Sequence, residues 1–142
     1  MGLNLRRVER VLRRCLDQTG IDFEYENDGE EVCASASIRL TNIEEDFMLY
    51  IEVVDNGMLF FRVIINDIGA DTRVLKALNN FNFHNAYFKA YITDQELLEM
   101  ARIDSLGDDY ERDLDEKLSF DFQAFLEISE QEIFRALKEL VH

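Results

Sequence analysis

The chain has 142 residues, 47% of them apolar, and a formal net charge of −15 at pH 7. That length fits one ordinary domain, residues 1–142, and its eleven Phe with many Ile, Leu and Val supply enough apolar surface to offset chain entropy, which excludes a disordered polymer. Residues 1–16 carry five Arg against one Glu, +4 in all, so the rest of the chain holds −19 and would repel a polyanion such as nucleic acid over most of its surface.

Leu5, Val8, Val11, Leu12, Cys15 and Leu16 recur at three- and four-residue spacing, which predicts an amphipathic helix stopped by Gly20. Arg6, Arg7, Arg10, Arg13 and Arg14 in the same segment read as its solvated face, pairing with the protein's own carboxylates; contact with nucleic acid or an anionic lipid is the alternative. Ile21, Phe23 and Tyr25 then alternate with acids. After Asn27-Asp28-Gly29 a second alternation runs through Val32, Ala34, Ala36, Ile38 and Leu40, and the two predict a hairpin.

The segment 47–66 holds two apolar strands around Asp55-Asn56-Gly57. A three-residue loop with Gly57 left-handed puts Phe47, Leu49, Ile51 and Val53 on one face with Leu59, Phe61, Val63 and Ile65. A two-residue Asn56-Gly57 turn would mix the faces, so the first register is preferred. A second helix is expected from Thr72 to about Asn82, with Val74, Leu75, Leu78 and Phe81 inward and Asp71 as its cap. Ala86, Phe88, Ala90 and Ile92 predict a strand.

Within 96–106 a Thr93-to-Glu96 capping box competes with a hairpin turn over Thr93-Asp94-Gln95-Glu96, and a strand is preferred. Residues 107–116 read as an acidic loop. Leu118, Phe120, Phe122, Ala124, Leu126 and Ile128 alternate as a half-buried strand should, the alternative being a helical stripe through Leu114, Leu118, Phe122 and Phe125. Ser129 with Glu132 forms a capping box before Ile133, Phe134, Leu137, Leu140 and Val141, which predict a C-terminal helix. The expected fold class is therefore α+β: two layers, a mostly antiparallel sheet with N-terminal, central and C-terminal helices.

No charged leader precedes an apolar stretch, and the longest apolar runs, such as 58–61 and 63–65, are too short to cross a bilayer. Cys15 and Cys33 suggest no disulfide framework, which fits a reducing cytoplasm, and no membrane or nucleic-acid partner is expected.

Leu78-Asn79-Asn80-Phe81-Asn82 followed by Ala86-Tyr87-Phe88-Lys89-Ala90-Tyr91 resembles the Leu-Asn-x-Phe-Asn helix end and aromatic strand of the bacterial YbjN family, whose fold is related to that of class I type III secretion chaperones. The resemblance covers about a dozen residues closely and the rest by the order of elements. It implies a non-enzymatic, often dimeric, interaction protein, and it supplies no catalytic residues.

The residues themselves offer little chemistry. His84 sits among Asn79, Asn80, Asn82 and Asn85 at a helix end, where an imidazole satisfies backbone carbonyls more readily than it serves as a base. Cys15, Cys33 and His84 lack zinc-site spacing. No glycine-rich phosphate loop is present, and the acids at 108–116 lack the pattern of a calcium hand. No catalytic, cofactor or metal residue is assigned, and an enzyme or small-molecule binder with a site between sheet and helices stands as the alternative class.

The informative feature is the other face of the 47–66 hairpin, where Met48, Tyr50, Val54, Met58, Phe60 and Ile64 project together, diluted only by Glu52 and Arg62. A water-facing sheet surface should be mostly polar. Either a helix of the same chain covers this face, or it meets a second subunit or a client protein. The expectation is a homodimeric, protein-binding module of the chaperone or regulatory kind.

Overall fold

The computed structural model describes residues 2–39, 46–65, 72–84, 86 and 88–128. Helix α1 (Leu5–Asp17) is followed by strands β1 (Glu24–Asn27), β2 (Glu31–Arg39), β3 (Asp46–Val54) and β4 (Met58–Ile65). Then come helix α2 (Thr72–His84), strands β5 (Lys89–Ile92) and β6 (Leu98–Ser105), and helix α3 (Tyr110–Ile128). The six strands form one sheet in the order β1-β2-β3-β4-β6-β5, antiparallel throughout. The chain is therefore α+β, with helices at the beginning, middle and end of the described order.

Each strand alternates because each has one face in a common core. Val32 and Ala34 on β2, Phe47, Leu49, Ile51 and Val53 on β3, and Leu59, Phe61, Val63 and Ile65 on β4 are buried with Leu98 and Met100 on β6. The described helices bury their apolar stripes in this same cluster: Val8, Leu12 and Leu16 from α1, Val74, Leu78 and Phe81 from α2, and Leu114, Leu118 and Phe125 from α3. Full burial of such a side chain contributes about 1.5–3 kcal/mol. All three described helices thus lie on one side of the sheet.

Local chemistry sets the ends. Asn4 Oδ1 accepts from the Arg7 N–H at 3.3 Å to cap α1, and Gly20 (φ 73°) carries the chain away from it. At the first hairpin, Asp28 Oδ1 accepts from the Glu30 and Glu31 N–H groups at 2.8 and 2.9 Å. These backbone donors hold its carboxyl below the usual range. The β3–β4 loop is the three-residue form: Val53 pairs with Leu59, Gly57 N donates to Val54 O at 2.9 Å, and Gly57 has φ 90°. Because a Cβ is strained there, Gly57→Val is expected to lower stability by roughly 1–2 kcal/mol in thermal melting. An unchanged melt would contradict the turn.

The Thr93–Glu96 stretch turns a hairpin, with Glu96 N donating to Thr93 O at 2.9 Å and Glu96 left-handed at φ 61°. Strand β6 follows, as preferred over the helix. Next to it, the Asn82 side chain receives the Ala90 N–H at 2.7 Å and donates to the Ala90 carbonyl at 2.8 Å. The Asn of the Leu-Asn-x-Phe-Asn segment thus occupies both outward-facing backbone groups of Ala90 on edge strand β5.

Four expectations are corrected. Of residues 107–116 only 107–109 form the acidic loop: α3 begins at Tyr110 and carries Glu111 and Asp113 in its first turn, where the positive end of the helix dipole favours acids. Their repulsion is further relieved by α1, since Arg7 pairs with Glu111 and Arg14 lies 3.3 Å from Asp115. The alternating segment 118–128 is helix rather than strand, with the stripe Leu114, Leu118, Phe122 and Phe125 inward and Phe120 44% exposed. Leu75 points outward at 45% exposure, because Val74, Leu78 and Phe81 already fill the inner stripe of α2. Ala86 is an exposed bend outside β5, which starts at Lys89. The Asp71 cap, Leu40, and the helix expected beyond Ser129 lie outside the described residues.

Candidate protein-binding face

The register across the sheet places one row of side chains on the side away from the described helices. Ser37, Met48, Ile64, Glu99 and Tyr91 lie along one rung, Ser35, Tyr50, Arg62, Ala101 and Lys89 along the next, and Cys33, Glu52, Phe60 and Ile103 along a third. The six residues singled out by pattern, Met48, Tyr50, Val54, Met58, Phe60 and Ile64, are brought together here, and all are half-buried. Among the described residues no helix covers them.

Three neighbours escaped the sequence reading. Ile103 (60% exposed) and Tyr91 (41% exposed) join the face from β6 and β5, and Glu99 lies beneath at 6%. Their membership depends on β6 lying beside β4, a pairing between segments more than thirty residues apart that no local pattern encodes. β5 pairs with β6 only over Leu98–Ala101, so Ile103 stands beyond the end of that partner.

A groove of about 400 Å³ crosses the face, walled by Val54, Phe60 and Ile103, with Glu31, Glu52 and Arg62 at its polar side. Arg62 pairs with Glu52, its Nη1 lies 3.8 Å from Glu99, and Tyr91 donates its hydroxyl to Glu99. Burial raises the Glu99 carboxyl, with Glu52 adding to the rise and Arg62 opposing it. Burial likewise raises Glu31, with Glu52 and Asp28 adding to it, and pushes the Cys33 thiol up to about 11, with Glu52, Glu31 and Glu26 adding to it. In all three burial is the main cause, and neighbouring carboxylates add to it against the opposing Arg62. A thiol held that high is protonated at neutral pH and a poor nucleophile.

The other candidates resolve structurally. His84 Nδ1 lies 2.8 Å from Asn80 O, the expected contact with a helix carbonyl. Among the described residues, no three His, Cys, Asp or Glu side chains are grouped as metal ligands would be. Of the Arg stripe on α1, Arg7, Arg13 and Arg14 pair with Glu111, Glu9 and Asp115. Arg6 and Arg10 flank an open recess of about 960 Å³ at the start of α1. No described helix is long and apolar enough to cross a membrane.

No family model matches the sequence, and no curated protein is similar to it. The functional reading therefore rests on this face. Its half-exposed aliphatic and aromatic side chains span three central strands, a breadth suited to a macromolecular surface.

Proposed function

We propose that the chain is a non-enzymatic, cytoplasmic module that binds another protein through the open face of its sheet. One observation carries the proposal: Met48, Tyr50, Val54, Met58, Phe60 and Ile64 share a face that no described helix covers. The resemblance to YbjN proteins and secretion chaperones points to the same class. Met48 and Met58, unbranched and polarizable, suit a surface that accommodates more than one side-chain arrangement.

Each large side chain on the face would contribute about 1.5–3 kcal/mol if fully buried by a partner, whereas an exposed ion pair contributes about 0–1 kcal/mol. Phe60→Asp combined with Tyr50→Lys is therefore expected to abolish partner binding while circular dichroism stays native. His84→Ala should leave binding intact. Light scattering at micromolar concentration separates the occupants, because a second copy doubles the mass and any other partner leaves a monomer. A double variant that keeps every interaction, beside a His84→Ala variant that loses them, would move the site to the end of α2.

A further inference from the structure

We infer that the groove on the open face takes a segment of a different protein that places an Arg or Lys beside apolar side chains; this rests on the protein-binding reading above. The face is divided. On one side stand carboxylates, Glu24 and Glu26 on β1, Glu31 on β2 and Glu52 on β3, which share this face by register. On the other stand Phe60 and Ile64 on β4 and Ile103 on β6. The groove lies along the boundary, with Glu31 and Glu52 on its acidic flank, Phe60 and Ile103 opposite, and Val54 beside Glu31 on β3.

Charge in the groove is unbalanced. Among the described residues Arg62 is shared by Glu52 and Glu99, and Glu31 has no ion-pair partner. Three carboxylates thus face one guanidinium, and the Glu24 and Glu26 acids extend the same sign to the sheet edge. A ligand entering this site gains most by bringing a cation to Glu31 and Glu52 while its apolar neighbours lie on Phe60 and Ile103.

The same division argues against a second copy. Two-fold packing centred on the groove sets the acidic flank of one copy either on the acidic flank of the other or on its Phe60 and Ile103 flank, and both bring more carboxylates into the contact than Arg62 and Lys89 can pair. Edge strand β1 is only four residues long and carries two of these acids, so it offers poor backbone for an added strand. Docking onto the face is the mode that remains.

The test uses the full chain and three fluorescein-labelled heptapeptides in which Leu alternates with Arg, Gln or Glu. Anisotropy measures affinity at physiological salt, and methyl NMR of Val54 and Ile103 locates the site. The Arg peptide is expected to bind about tenfold more tightly than the Gln peptide, the Glu peptide not at all, as one or two charge-assisted contacts allow. Glu31→Gln with Glu52→Gln should remove most of that advantage, while Asp108→Asn with Asp109→Asn, the same change in net charge elsewhere, should leave it. Equal loss in the two double variants means diffuse attraction to an acidic protein and overturns the inference. Equal binding of the Gln peptide, with shifts at Val54 and Ile103, overturns it but keeps the protein-binding reading. A doubled mass in light scattering that Phe60→Asp halves also overturns it, in favour of self-association. Silent groove methyls in a monomer remove both.

Discussion

Phe61→Ala is expected to cost about 3–5 kcal/mol, roughly a fifth or more of the stability of an ordinary domain. Phe61 is fully buried on the helix-side face of β4. Its ring centroid lies 5.8 Å from Phe88, 5.7 Å from Phe122 and 6.1 Å from Phe125, so one side chain ties the central sheet both to α3 and to the segment entering β5. The edge-on contacts with Phe88 and Phe122 each add to what area burial supplies, by about 0.5–1.5 kcal/mol. Urea unfolding followed by circular dichroism measures the loss. Phe61→Leu, which keeps most of the volume, should lose far less, and a loss under about 1 kcal/mol for the alanine variant would show that the cluster repacks.

The second large effect is a dependence on pH carried by Asp121. This carboxylate is fully buried on α3, with Oδ1 2.8 Å from Arg102 Nε, and Asp104 and Lys117 complete the cluster between α3 and β6. Burial pushes its pKa up to about 6 from the ordinary 3.8; Arg102 and Lys117 oppose the rise and Asp104 adds to it. Between those two values the folded chain holds a proton that the unfolded chain has released. Stability from this group is thus complete below about pH 4 and is lost as pH rises through 6, by about 2–3 kcal/mol for a difference of roughly two units. The check is the unfolding free energy of the wild type minus that of Asp121→Asn between pH 4 and 7, which should fall as pH rises. A flat or rising difference would refute the burial account.

The strands of the sheet were readable because their evidence is local. In 47–66 an unbroken two-residue period and a loop needing a left-handed glycine agree on one register, and β3 and β4 adopt it. Segment 110–128 was not readable in the same way. Leu118, Phe120, Phe122, Ala124, Leu126 and Ile128 satisfy a strand period, while Leu114, Leu118, Phe122 and Phe125 satisfy a helical one. The choice falls to tertiary partners: the α1 arginines that neutralise Glu111 and Asp115, and Arg102, which meets Asp121 only on a helix. The candidate face was legible where it belongs to one hairpin, in Met48, Tyr50, Val54, Met58, Phe60 and Ile64. Ile103, Tyr91, Glu99 and Glu31 enter it through strand order, which no window of sequence contains.

The amide of Asn82, bonded to both outward-facing groups of Ala90, also closes one position on the β5 edge. A bare β5 would be a template on which another chain's strand could nucleate, and then another, with no geometric limit to growth. With that position taken and β1 short and acidic, both edge strands of the described sheet resist extension. Binding through the open face, as proposed above, would then saturate at a definite stoichiometry instead of propagating as a fibre. Removing the amide would reopen the β5 edge while leaving the face untouched.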